Sequence, residues 1–160
     1  MPERFASGIA DNTAKQMVGL LNDNLAPVID LTLAAKQAHW NIKGPNFIGI
    51  HLLLDDVIGR LREISDTIAE RAVILGGIPK GTAQTVADDT GLEPYPAEET
   101  DINACVRALT DRYKEVAKML RSAIDKAGEA GDEDTADIFT EASRIVDKDA
   151  WFIGANVPAK

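Results

Sequence analysis

Only one cysteine, Cys105, occurs among the 160 residues. An internal disulfide framework and a multi-cysteine zinc site are both excluded. Long apolar runs are also missing. None approaches the ~18 residues a membrane span needs, so a membrane partner is not expected. The opening Met-Pro-Glu-Arg-Phe lacks a basic-then-apolar leader, which points to a cytoplasmic protein rather than a secreted one. Strand-like alternation of β-branched residues is scarce. Positive charge is in deficit, with 17 Lys+Arg against 26 Asp+Glu and a formal net charge of −9. That balance repels nucleic-acid phosphates and suits a protein that attracts cations.

What is present reads as one helical domain. The chain is 45% hydrophobic and 27% charged, the composition of an ordinary globular fold. Gly and Pro divide it into four long helical stretches. The first runs from Asp11 to Asn41, and Pro27 inside it should cost a hydrogen bond and bend the helix. The second begins at Pro45, the first helical residue, and stops at Gly76-Gly77. The third covers about 101–127, and the fourth follows Gly128–Gly131 and ends near Gly154. The connection from 76 to 100 carries three prolines and is too long for a turn, so it is a crossover or holds a short helix near 82–87. These features predict an all-α, four-helix bundle of ferritin-like connectivity, with a short helix between the second and third long helices. Residues 1–10 should form a short flexible tail, residues 11–156 a single domain, and 157–160 a second loose end.

Read as a wheel at ~100° per residue, the second helix has two sides. Leu54, Val57, Leu61, Ile64, Ile68 and Ala72 mark the bundle-core stripe. His51, Asp55, Asp66 and Glu70 lie together on the other side, facing away from the chain's own core. His51 and Asp55 are four apart, as are Asp66 and Glu70, so each pair can converge on one ion. The pairs are separated along the axis by roughly 16 Å, which no single ion bridges. A second copy of the helix, antiparallel across a two-fold axis, would set the His/Asp pair of one chain against the Asp/Glu pair of its mate. Gly59, midway on the same face, would let the backbones approach. His39 ends the first helix, and the Gly44-Pro45 turn folds it back toward His51 and Asp55. Such a mixed nitrogen and oxygen set without thiolate suits iron, with manganese or zinc as substitutes. Residue by residue, other readings remain open. A histidine at a helix end often caps or faces solvent, four-spaced acids often only solvate a surface, and Arg62 and Arg71 are near enough in sequence to pair with them.

Several segments together resemble the Dps family, the small ferritin-like proteins named as DNA-binding proteins from starved cells. They are Lys36-Gln37-Ala38-His39-Trp40-Asn41, Gly44, Asn46-Phe47, His51 with Asp55, Asp66-Thr67-Ile68-Ala69-Glu70-Arg71-Ala72, Leu75-Gly76-Gly77, Asp134-Thr135-Ala136-Asp137-Ile138 and Trp151-Phe152-Ile153. The resemblance implies a hollow homododecamer of tetrahedral symmetry with a ferroxidase centre at each two-fold interface. His39, His51 and Asp55 would come from one subunit, and Asp66 and Glu70 from its partner. It implies an enzyme that oxidises Fe(II) to Fe(III), preferably with hydrogen peroxide over O2, and stores ferric mineral, protecting DNA and the cell. Trp40 would be a radical trap or a packed interface aromatic. Acids at the start of the fourth helix, Glu129, Asp134 and Asp137, would line an iron-admitting pore, or else simply cap the helix. Asp56 and Glu63, flanking the ligand stripe, are weaker candidates for mineral nucleation.

The alternative within the same resemblance is a nucleoid-associated protein that compacts DNA with little ferroxidase activity. The lysine-rich arm expected of it is missing: the first sixteen residues hold only Arg4 and Lys15 as bases, and the C-terminal end only Lys160. Twelve copies of a −9 chain carry about −108, so direct DNA binding at neutral pH should be weak or absent.

Overall fold

The computed structural model describes residues 2–158; Met1, Ala159 and Lys160, on which the expected tail ends and the lone C-terminal base fall, lie outside the described residues. Five helices account for the architecture: α1 (Asp11–Asn41), α2 (Phe47–Ile74), α3 (Ala83–Asp89), α4 (Ile102–Glu129) and α5 (Glu133–Gly154). The only strand-like pairing among the described residues is one isolated bridge, Lys43 with Asp101. α1 packs against α2 and α4 against α5, α1–α4 and α2–α5 contacts close the bundle, and α3 lies on α1. The fold is therefore the four-helix, ferritin-like one, with α3 as the short helix in the long connection.

Amphipathic spacing explains which faces meet. Leu54, Val57, Leu61 and Ile68 of α2 are fully buried, as are Leu21 and Leu31 of α1, Leu109 and Leu120 of α4, and Phe139 and Ile153 of α5. Burying each such side chain contributes about 1.5–3 kcal/mol. Pro27 does not end α1, which runs through it as one helix with Pro27 buried. Packing of the apolar residues on either side outweighs one missing backbone donor.

The start of α2 differs from expectation. Gly44 takes φ +139° and Asn46 φ +59°, so Pro45 sits inside a tight turn and the helix begins only at Phe47. At the far end of α2, Gly76 takes φ +80°, where a Cβ would come within 3.2 Å of Arg4. Side-chain caps mark the later helices: Asp101 accepts from Ala104 N–H, and Asp132 from Thr135 N–H.

The crossover is tied along α1. Asp30 accepts from Thr90 Oγ1 at 2.6 Å and from Arg112 at 2.9 Å. Gln37 donates to Ala97 O at 3.0 Å, and Lys43 N–H to Thr100 O at 2.7 Å. The last two contacts fasten the connection beside the α1–α2 turn, which carries the candidate site. At the N-terminal end, Phe5 and Ala6 N–H both donate to Ile74 O. No helix of the described residues is long and apolar enough to cross a membrane.

Candidate metal centre

The turn at 42–46 lays the end of α1 beside the first turns of α2, and the two histidines lock together there. His39 Nδ1 lies 2.9 Å from His51 O, and His51 Nδ1 lies 3.0 Å from His39 O. The rings stack with centroids 3.7 Å apart, and Phe47 tilts over His51 at 5.1 Å. A backbone carbonyl only accepts, so Nδ1 must carry the proton in both rings. In a neutral ring so bonded the lone pair is on Nε2, the form in which imidazole binds a metal.

Asp55 completes the group one turn along α2. Its Oδ1 lies 3.5 Å from His39 Nδ1, and one ligand atom from each of His39, His51 and Asp55 falls within 4.8 Å of the others. Among the described residues, no other set of three or more His, Cys, Asp or Glu side chains is so placed. His39 is buried and Asp55 is about half exposed. Lys36 donates to Asp55 Oδ1 at 2.8 Å. This bond outweighs the opposing effect of partial burial and holds the carboxyl below its usual range. The donor set, two imidazoles whose Nδ1 atoms lie on backbone carbonyls and one carboxylate, fits a divalent transition metal.

Asp66 and Glu70 stand exposed farther along the same face of α2. No ion pair among the described residues engages either. Arg71 is not their counter-ion. It turns inward, donating to Asp132 Oδ1 at 2.7 Å and Thr135 Oγ1 at 3.0 Å, with Asp134 at 3.7 Å. Arg62 lines a groove of about 450 Å³ beside Asp66, whose apolar wall includes Leu25, Ile29 and Leu33.

The outer face of α2 is open between the two acid-bearing ends and apolar beside the His/Asp end. Ile48 is 61% and Leu52 57% exposed. Both project within the arc that holds the four ligand candidates. Nothing lies within 4 Å of a Cβ built on Gly59 at its middle. Trp40, 67% exposed, borders this face with Lys36 Nζ 5.9 Å from its ring centroid.

The acidic run at the start of α5 divides by role. Asp132 is 3% exposed and serves as cap and partner of Arg71. Glu129, Asp134 and Asp137 remain exposed, as do Asp56 and Glu63 on α2. Cys105 is buried, and burial pushes its thiol up. The structure also shows what the sequence does not announce. Lys36 sits on Asp55, Arg71 is buried on α5's cap, and Arg60 of α2 clasps the fully buried Asp149 of α5 at 2.7 Å. Only Asp132 had a local signal, an acid three residues before a threonine at a helix start.

Comparison with known proteins agrees with this architecture. A family model described as a ferritin-like domain matches residues 18–157. The chain is 51% identical over 152 residues to the DNA protection during starvation protein of Agrobacterium fabrum, spanning 95% of this chain and 94% of that one. It is 33% identical over 150 residues to the protein of the same name from Mycolicibacterium smegmatis, spanning 94% and 81%. The solved tetragonal form of Mycobacterium smegmatis Dps superposes with a TM-score of 0.93 at 31% identity, covering 98% of this chain and 96% of that one. Fold, helix order and these similarities together place the chain in the Dps family of ferritin-like proteins.

Proposed function

We propose that this protein oxidises Fe(II) at a centre shared between two subunits and stores the ferric product inside a hollow twelve-subunit shell, thereby protecting DNA and the cell from oxidative damage. The observation that carries this reading is the division of ligands along one face of α2. His39, His51 and Asp55 converge at one end, beside the exposed apolar Ile48 and Leu52, while Asp66 and Glu70 stand unpaired at the other. Exposed apolar surface of that kind marks a docking face. An antiparallel mate across a two-fold axis would bring each His/Asp end to the partner's Asp/Glu end, completing two centres per pair.

Iron is substrate in this scheme. Fe(II) would bind through Nε2 of His39 and His51 and through carboxylate oxygens. Hard anionic oxygens hold Fe(III) more tightly than Fe(II), which makes electron loss easier. Hydrogen peroxide, the preferred oxidant in this proposal over O2, takes one electron from each of two Fe(II). Both of its oxygens end as water or hydroxide, and no hydroxyl radical is released. The rings stay oriented through their Nδ1–H bonds, and the stacked pair restricts rotation of either ring. Trp40 borders the centre and would take up a stray oxidising equivalent. Glu129, Asp134 and Asp137 would line the route by which Fe(II) enters. A cytoplasmic location follows from this role.

The test is native mass with and without added Fe(II) and peroxide, together with the oxidation rate of a His51→Ala/Asp55→Ala variant. A twelve-fold particle that gains iron, and a variant that oxidises Fe(II) no faster than buffer, agree with the reading. Equal rates in the two proteins contradict it. With −9 per chain and few terminal bases, a gel shift at physiological salt and neutral pH should show no tight DNA complex.

A further inference from the structure

We infer that Lys36 is a built-in placeholder cation: its ammonium occupies Asp55 until a divalent metal displaces it, and so sets the metal affinity of the centre. The inference rests on the metal-centre reading above and deepens it. Lys36 Nζ lies 2.8 Å from Asp55 Oδ1, on the one carboxylate that the protomer contributes to its histidine cluster. Lys36 lies one helical turn before both His39 and Trp40 on α1, so the ammonium approaches the cluster from the Trp40 side. It is 5.9 Å from the indole centroid, inside the range of a cation–π contact. Its side chain is only 25% exposed, against 49% for Asp55.

This arrangement has two opposing consequences for metal binding. The lysine holds the Asp55 carboxylate in place beside the histidines, which favours a metal. It also fills one of the carboxylate's acceptor positions and repels an arriving divalent cation. The repulsion acts between a single and a double charge a few ångströms apart. Loss of aim is limited because Asp55 stands inside α2, one turn beyond His51. The net effect assigned to Lys36 is therefore a weaker centre than the same ligands would make without it. The lysine holds the carboxylate in the empty protein and leaves it in the loaded one. A solvent-screened ion pair of this type is weak, so its removal should tighten binding by only roughly 1.4- to fivefold. The ammonium that leaves Asp55 keeps the indole of Trp40 as its neighbouring partner, so Trp40 registers the exchange.

The experiment uses the assembled, iron-free protein and titrates Zn(II), which is redox-inert, by calorimetry. The wild type is compared with Lys36→Met, Lys36→Gln, Lys36→Arg and Asp55→Asn. The expected result is tighter Zn(II) binding in both neutral variants, return to wild-type affinity in Lys36→Arg, and weaker binding in Asp55→Asn. A gain of affinity is something structural damage would not produce. Trp40 emission, isolated by Trp151→Phe, should shift on Zn(II) addition in the wild type and shift less in Lys36→Met. Wild-type or weaker affinity in Lys36→Met and Lys36→Gln, with Asp55→Asn still impaired, overturns the placeholder role and leaves the metal centre standing. Zn(II) binding that Asp55→Asn leaves unchanged overturns the centre itself, and the inference with it.

Discussion

The two ends of α2's outer face are built differently. At the N-terminal end, His39, His51 and Asp55 are stacked, hydrogen-bonded to backbone and partnered by Lys36. At the C-terminal end, Asp66 and Glu70 project bare, and Arg71, next to Glu70 in sequence, points the other way into the bundle. The first end is organised within the protomer because a tight turn brings two helices together. The second end takes both of its acids from α2 alone, and no ion pair among the described residues engages them. Ligands arranged before assembly bind an ion with little ordering cost, whereas free carboxylates wait for a partner that supplies the remaining donors. The contrast is what a shared centre requires: one half preformed, one half offered.

The largest effect in this comparison should come from beneath the bare end. Arg71→Leu leaves Asp132 buried without its cation. It should destabilise the fold by about 3–5 kcal/mol, read from denaturant unfolding. If stability holds, the last turns of α2 are anchored by something other than this pair. Next come the ligands themselves. Either the Asp55→Asn or the Glu70→Gln change should slow Fe(II) oxidation roughly 100-fold, beyond the lower range for outer-shell substitutions. A loss confined to Asp55→Asn would mean that the bare end is only solvated charge.

The apolar patch beside the His/Asp end offers a smaller handle, with Leu52 exposed on it. Leu52→Ser should weaken subunit association by about 1.5–3 kcal/mol while leaving the protomer's helical content intact, as native mass and circular dichroism can report. The smallest effect is on pH dependence. Asp55's carboxyl is held below its usual value by Lys36. The pair therefore contributes above the unfolded carboxylate value and fades as pH falls through the lower folded one. Asp149 is pushed up by burial despite Arg60. Its sign is opposite: its contribution declines as pH rises from the ordinary carboxylate value through the raised one. Stability curves of Lys36→Met and Asp149→Asn against wild type should therefore diverge in opposite directions across the acid range.

Much of the fold was legible because it depends on local periodicity. The stripe of Leu54, Leu61 and Ile68 repeats at helical spacing, and glycine and proline punctuate the chain close to the observed helix ends. The convergence of His39 on His51 was legible for a related reason, a turn of only a few residues between them. The start of α2 was misjudged at Pro45 because two left-handed residues, Gly44 and Asn46, build a turn there that proline alone does not reveal. Long-range charge pairing was illegible. Nothing near Arg71 in sequence announces Asp132, 61 positions away, and nothing near Lys36 separates a surface lysine from one seated on a ligand. Such partners are chosen by the packing of α2 on α5 and of α1 on α2, which exists only once the bundle has formed.

Subunit mixing tests most directly whether each centre is shared. His51→Ala and Glu70→Ala chains, each inactive alone, would be co-assembled in equal amounts and assayed for Fe(II) oxidation. If every centre takes its histidines from one chain and its distal acids from another, mixed pairs hold one intact centre of two. Random mixing then restores about a quarter of wild-type activity. If all five side chains act within a single chain, no mixture contains an intact set, and the activity would stay at the level of the separate variants.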